Sequence, residues 1–222
     1  MDLVLILLIL IIPAIAQFKV SSSFSKYKAV KNENGLTGQE VARKILDENG
    51  LDKVYVVETP GNLTDHYDPG RKVVRLSSDI YKGDSVASLS VAAHECGHAI
   101  QDKEGYFYMR FRALIFPVVK VCTSLSYLII FIGLLAEALN IVYIGIALVA
   151  TGLIFQIVTL PVEIDASKRA ENQLIKLGLS TSLEQDDVKN MLNAAAMTYV
   201  AGVLSSALEL LRLILIFGDD RR

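Results

Sequence analysis

The chain has 222 residues, 52% of them hydrophobic, and its 22 basic and 24 acidic side chains leave a formal net charge of −2. That balance excludes an intrinsically disordered chain, which combines low hydrophobicity with high net charge, and a dedicated nucleic-acid binder, which needs a basic stripe. Two cysteines exclude a disulfide framework as the main source of stability.

The apolar surplus lies in blocks. Residues 3–18, 121–136, 138–162 and 190–208 contain no Asp, Glu, Lys, Arg or His. The first block, from Leu3 to Ala16, is just long enough to cross a thin or locally adapted bilayer. Ala14-Ile15-Ala16 resembles a signal-peptide cleavage site, but Asp2 follows Met1 and no basic n-region exists. Residues 1–18 are therefore expected to be a retained transmembrane anchor.

Residues 19–112 read as a polar domain. Thr37-Gly38-Gln39-Glu40 has capping-box spacing ahead of Val41, Ala42, Ile45 and Leu46, which predicts a helix over 38–49, with Gly50 as its stop. Lys53 to Val57 is a short strand by β-branched content. Extended residues flank Asp68-Pro69-Gly70 between Asn62 and Leu76, the pattern of a β-hairpin. Asp84 or Ser85 caps a further helix running to about Gln101.

Ala113–Ala136 and Ala138–Val162 are two spans joined by little more than Glu137 and Asn140, so 113–162 is expected to be a transmembrane helical hairpin. Lys120 sits near one end, where it can snorkel. Such a hairpin returns the chain to the side it left, and residues 163–189 then share a compartment with 19–112. Lys19, Lys26, Lys28, Lys31, Arg110, Arg112, Lys168 and Arg169 flank the membrane on that side, and the hairpin tip carries no Lys or Arg. The positive-inside bias places the polar domain in the cytoplasm and the N-terminus outside. Residues 190–217 form a last apolar stretch, interrupted by Glu209 and Arg212, which either packs on the other helices or, as favoured here, spans.

The helix after Ser85 contains His94-Glu95-Cys96-Gly97-His98. Histidines four apart share a helix face, so both imidazoles can reach one metal ion, and Glu95 is placed to take a proton from an attacking water. Val91, Ala92 and Ala93 before the motif, and Ala99 and Ile100 after it, suit a helix buried around its ligands. The competing reading is a pair of buried, hydrogen-bonded histidines. A catalytic zinc usually takes a third protein ligand. A metzincin pattern fails, because Gln101 and Glu104 stand where Gly and His would be needed. Glu163 is favoured, being returned by the hairpin just after Pro161; Glu104, Asp165 and Glu171 stay open. Asp165 could instead orient a histidine.

His66, the histidine outside the motif, is either an oxyanion-stabilising or substrate-binding group or a turn residue; Tyr199 is a second oxyanion candidate or simply packed. The strand Lys72 to Leu76 could take up a peptide by strand addition if it lies at an edge. Cys96 and Cys122 read as filling side chains.

The segments Leu63–Pro69, Val73–Ser77, Val91–Gln101, Leu160–Ser167 and Thr198–Val200 resemble the YugP-like neutral zinc metallopeptidases of bacterial membranes, and the resemblance covers nearly the whole chain. More distantly the chain is similar to HtpX-type and CAAX-prenyl membrane proteases. The resemblance implies that Glu163 is the third ligand. In the distant relatives the fourth residue after that Glu is an Asp supporting a ligand histidine; here it is Ser167, so Asp165 is considered as a substitute. Cys96 stands where Ala is more usual.

The expected fold class is a mainly α membrane protein of three or four transmembrane helices. It carries a small α+β zincin-like catalytic domain built around the HExxH helix and a short β-hairpin. The expected function is a gluzincin-type zinc metalloendopeptidase of the cell membrane using one zinc ion. Glu95, His66 and Tyr199 are the catalytic candidates; His94, His98 and Glu163 are the metal candidates. The substrate class, polypeptides at the cytoplasmic membrane face, comes from the resemblance, and no nucleic-acid partner is expected. A zinc hydrolase of non-peptide amides or esters and an inactive membrane scaffold are the rival readings.

Overall fold

In a computed structural model that describes residues 2–218, the elements in chain order are α1 (Asp2–Lys28), α2 (Gly38–Glu48), β1 (Tyr55–Thr59), β2 (His66–Asp68), β3 (Val73–Ser77), α3 (Ser78–Tyr81), α4 (Val86–Glu104), α5 (Phe107–Leu135), α6 (Leu139–Lys176) and α7 (Gln185–Phe217). The protein is a mainly α membrane protein with a small sheet, as its composition predicts. Helices α1, α5, α6 and α7 are each long and apolar enough to cross a membrane. The described residues group into two compact units: one from residues 2–17, 107–161 and 198–218, the other from Phe18–Tyr106 and Val162–Met197.

The first unit is built from apolar helix. Its buried cluster joins Ile130 of α5, Val142 and Ile146 of α6, and Leu213 of α7. Glycines set how closely α5 and α6 approach: a Cβ on Gly145 would lie 2.5 Å from the Ile130 side chain, and one on Gly133 would lie 2.7 Å from the Val142 nitrogen. The charged side chains that interrupt α7, Glu209 and Arg212, are paired, as apolar surroundings favour. The Tyr127 hydroxyl donates to Glu209 at 2.7 Å, and Arg212 Nε donates to Asp2 at 2.6 Å.

The second unit shows how local signals become packing. The capping box at α2 forms as its spacing predicts: the Glu40 N–H donates to Thr37 Oγ1, and the Thr37 N–H donates to the Glu40 carboxylate. This fixes the register that buries Val41, Ala42, Ile45 and Leu46, and that face packs on α4. Asn49 is the C-cap, and Gly50 follows with a φ of +62°, the left-handed conformation that favours glycine. Helix α4 starts where Ser85 Oγ accepts from the Ser88 N–H, and stops at Gly105 with a φ of 67°.

The sheet has the order β1-β3-β2, with β1 parallel and β2 antiparallel to β3. The hairpin around Asp68-Pro69-Gly70 is present: the Gly70 and Arg71 N–H groups both donate to Asp68 Oδ1 at 3.0 Å. One expectation is corrected. The strand leading toward α4 is central, paired with β1 along Val73–Ser77 and with β2 along Val73–Arg75, so it is not a free edge. Four of the five β3 residues are buried, the continuous pattern of an interior strand.

Helix α6 runs without interruption through Pro161. Proline removes one donor from the helical ladder, and here the helix continues for several turns beyond it, carrying Glu163 within regular helix.

Candidate metal centre

Helix α4 presents His94 and His98 from one face, their rings edge to face with centroids 4.8 Å apart. Helix α6 supplies Glu163, 3% exposed in its surroundings. Glu163 Oε2 lies 3.4 Å from His94 Nε2 and 3.5 Å from His98 Nε2. The three donor atoms all fall within 4.8 Å of one another.

These spacings fit zinc. Ligands about 2.0–2.2 Å from a tetrahedral ion are separated from each other by about 3.4 Å, close to both His–Glu separations. The imidazole tautomers fit as well. Gln101 Oε1 can only accept, so its contact with His98 Nδ1 at 3.0 Å makes that nitrogen the donor and, in the neutral ring, leaves the lone pair on Nε2. On the other histidine, Nδ1 meets the Ser167 hydroxyl at 3.2 Å. Both rings are thus held through the nitrogen that faces away from Glu163, the support expected around a metal ligand.

Gln101 is itself held fast. It is fully buried, and its Nε2 donates to the Val162 carbonyl and to Asp165 Oδ2, both at 2.8 Å. Asp165 accepts from Arg169 Nε at 2.6 Å, and Arg169 Nη1 donates to Glu104 at 2.7 Å. Two alternative ligands are thereby placed elsewhere: Glu104 and Asp165 both pair with Arg169, and neither is in the three-donor group. Glu171 is not in it either. Ser167 occupies the supporting position beside His94, while Asp165 reaches His98 through Gln101. Sequence reasoning missed Gln101, although its place three residues after His98 puts it on the same helix face.

Gly97 has a geometric role. A Cβ there would sit 2.5 Å from the backbone oxygen of Ala166, so a hydrogen in place of a side chain lets α4 and α6 touch. Cys96 points the other way, its thiol 3.6 Å from the Ala42 carbonyl of α2, and burial pushes that thiol well above its ordinary range. It fills space, as its sequence context predicts.

Glu95 is 7% exposed. Burial raises its carboxyl above the ordinary glutamate value, although His94 and His98 pull it down. For His98, burial alone would lower the imidazole, but the bond to Glu163 and the charge of Glu95 outweigh it and raise the ring. The chain thus concentrates opposing charges around one point that water and protein would not otherwise favour.

His66 is exposed on β2, with Nδ1 2.8 Å from the Thr64 carbonyl, a local turn contact. Tyr199 lies on α7, in the other unit. Neighbouring polar residues anchor the hairpin to α4 and to β3. The Tyr67 hydroxyl donates to Asp102 at 2.7 Å, Lys72 pairs with the same carboxylate, and Asp65 accepts from the Ser77 N–H at 2.7 Å.

A fold of long apolar helices bearing a His-His-Glu group on α4 and α6 defines a membrane metallopeptidase-like protein. The chain belongs to the family described as "Putative neutral zinc metallopeptidase", whose model matches residues 2–218. It is 47% identical over 206 residues to the "Putative membrane protease YugP" of Bacillus subtilis (strain 168), a match covering 93% of this chain and 92% of that protein. No solved structure matches.

Proposed function

We propose that the protein is a membrane-embedded zinc endopeptidase of the gluzincin type, holding one zinc ion through His94, His98 and Glu163. It would act on membrane or unfolded polypeptides at the cytoplasmic face. The observation that carries this reading is the convergence of two imidazole Nε2 atoms and one buried carboxylate on a single point. Zinc bound there would supply Lewis acidity, lowering the pKa of water and polarising a carbonyl.

The chain's own residues do the rest. Gln101 and Ser167 hold the two imidazoles in place. Glu95, one residue beyond His94 on the same buried helix, takes a proton from the attacking water and passes one to the amide nitrogen as the carbon–nitrogen bond breaks. Burial makes Glu95 more basic than a solvated glutamate, which suits a group that must accept and then release a proton near neutrality. One donor, His66 or Tyr199, is proposed to steady the developing oxyanion.

The test is Glu95→Gln in the full-length protein. Zinc content should stay at the wild-type level while cleavage of an unfolded polypeptide falls by at least about 100-fold, the usual contribution of acid–base catalysis. Cleavage at the wild-type rate with zinc retained would refute the assignment of the base.

A further inference from the structure

A cavity of about 380 Å³ lies between the C-terminal part of α1 and the start of α7 within the second unit. Lys19, Ser22, Ser23 and Lys26 line it from α1, spaced as one helix face, and Asn190 and Asn193 line it from α7. Every one of these side chains can donate a hydrogen bond, and no carboxylate lines the space. Its size falls within the range of small-molecule sites.

The charges are set apart for this space. Lys28 and Lys31, only slightly further along the chain, are neutralised by Asp79 and Asp84 at 2.5 and 2.8 Å. Among the described residues, Lys19 and Lys26 have no such ion pair. Instead Lys26 Nζ rests 4.5 Å over the ring of Tyr27 and donates to its hydroxyl at 3.2 Å, and Tyr27 is almost fully buried. An aromatic ring positions a cation without cancelling its charge. The depth is informative too: Lys19 directly follows the uncharged run 3–18 of the same helix, and on α7 Asn190 and Asn193 lie at the start of the apolar stretch. Those are the levels at which phospholipid headgroups meet a spanning helix.

We propose that this cavity binds a phosphate group, presented as the headgroup phosphodiester of an anionic phospholipid or as free phosphate. Two unpaired ammonium groups supply the charge, and the hydroxyls and amides supply directional donors to the phosphate oxygens.

The experiment uses full-length protein in nanodiscs of phosphatidylcholine with or without phosphatidylglycerol, and counts retained lipid by native mass spectrometry. Inorganic phosphate is tested separately as a thermal stabiliser. Wild type should retain phosphatidylglycerol in preference to phosphatidylcholine. The double variant Lys19→Gln/Lys26→Gln should lose that preference by about 25-fold, at about fivefold per lysine. Lys28→Gln/Lys31→Gln, which removes the same formal charge outside the cavity, should keep it. Asn193→Leu, with both charges intact, should weaken retention through the lost donor. If free phosphate stabilises wild type but not Lys19→Gln/Lys26→Gln, and phosphatidylglycerol is not preferred, the site stands with phosphate as its source. Equal losses from the two lysine pairs would overturn the proposal, because they would reduce the effect to net charge. So would indifference of both ligands to Lys19→Gln/Lys26→Gln.

Discussion

Gly97→Ala is the smallest change that tests whether the α4–α6 contact builds the metal centre. In an unstrained helix this substitution stabilises by about 1 kcal/mol, because glycine costs more backbone entropy. Here the added Cβ would lie 2.5 Å from the Ala166 oxygen, 3.1 Å from its carbonyl carbon and 3.2 Å from its Cα. All three atoms belong to the backbone of α6, so no rotamer change can clear them. Restoring an ordinary carbon–oxygen contact of about 3.3 Å requires the helices to part by about 0.8 Å.

Glu163 lies one turn from Ala166 on the same continuous helix and must move with it. The 3.4 and 3.5 Å separations from the histidines would then open by several tenths of an ångström, beyond the roughly 0.2 Å that metal–ligand distances tolerate. Overpacking costs about 1–3 kcal/mol, which offsets or exceeds the helix gain. The expected outcome is a zinc affinity reduced by about 10–100-fold, equivalent to about 1.4–2.8 kcal/mol, with thermal stability unchanged or lower. Zinc content after dialysis against graded chelator, measured by plasma mass spectrometry, reads this directly. Adding Ala166→Gly should not rescue it, because the obstacle is a carbonyl and not a methyl group. A Gly97→Ala protein that binds zinc at wild-type affinity and melts higher would refute the reasoning.

Gln101→Leu should lower zinc affinity by a similar 10–100-fold, since it releases His98 and removes the side-chain bonds that tie α4 to Val162 and Asp165 of α6; the same chelator titration checks it. Glu163→Ala should abolish stoichiometric zinc while Glu104→Ala leaves it intact, because Glu104 faces Arg169; metal loss from the Glu104 variant alone would reverse the ligand assignment. In a Cys122→Ser background, Cys96 should resist alkylation by iodoacetamide until the protein is denatured, as its thiol is fully buried and its ionisation is suppressed; mass spectrometry of the intact chain reports the adduct. A reporter fused at Asn140, at the tip between α5 and α6, should read as external; a cytoplasmic signal would reverse the orientation inferred from the flanking lysines and arginines.

The elements that could be read from the chain were those with local causes. A capping box fixes α2 with side chains three residues apart, Ser85 starts α4, and Asp68-Pro69-Gly70 turns the hairpin. The His-Glu-x-x-His spacing likewise needs only helical geometry to place two imidazoles together. What stayed hidden depends on partners distant in sequence. Nothing in Tyr55–Thr59 names β3 as its parallel neighbour, so the central position of β3 is not legible in the chain. The role of Gln101 requires knowing that Val162 and Asp165 come to meet it. Pro161, ordinarily a helix breaker, concealed the continuity that carries Glu163 within α6.

One pattern ties these hidden contacts together. On α4, His94, Gly97, His98 and Gln101 occupy positions i, i+3, i+4 and i+7, and on α6 Glu163, Ala166, Ser167 and Ala170 repeat the same spacing. Each series is a single stripe along its helix. The stripes meet in opposite directions: His94 touches Ser167, Gly97 meets Ala166, His98 faces Glu163, and Gln101 reaches back to Val162 and Asp165. Residue numbers rise on one helix as they fall on the other, so the helices cross antiparallel in one register. A shift of α6 by a single residue would rotate the stripe by about 100°. It would remove the Glu163 carboxylate, the close contact, the Ser167 support of His94 and the anchor of Gln101 at once. The small residues that allow contact are therefore as much a part of the candidate metal centre as the three residues whose donor atoms converge. Specificity for the register comes from interleaving the two kinds along one seam.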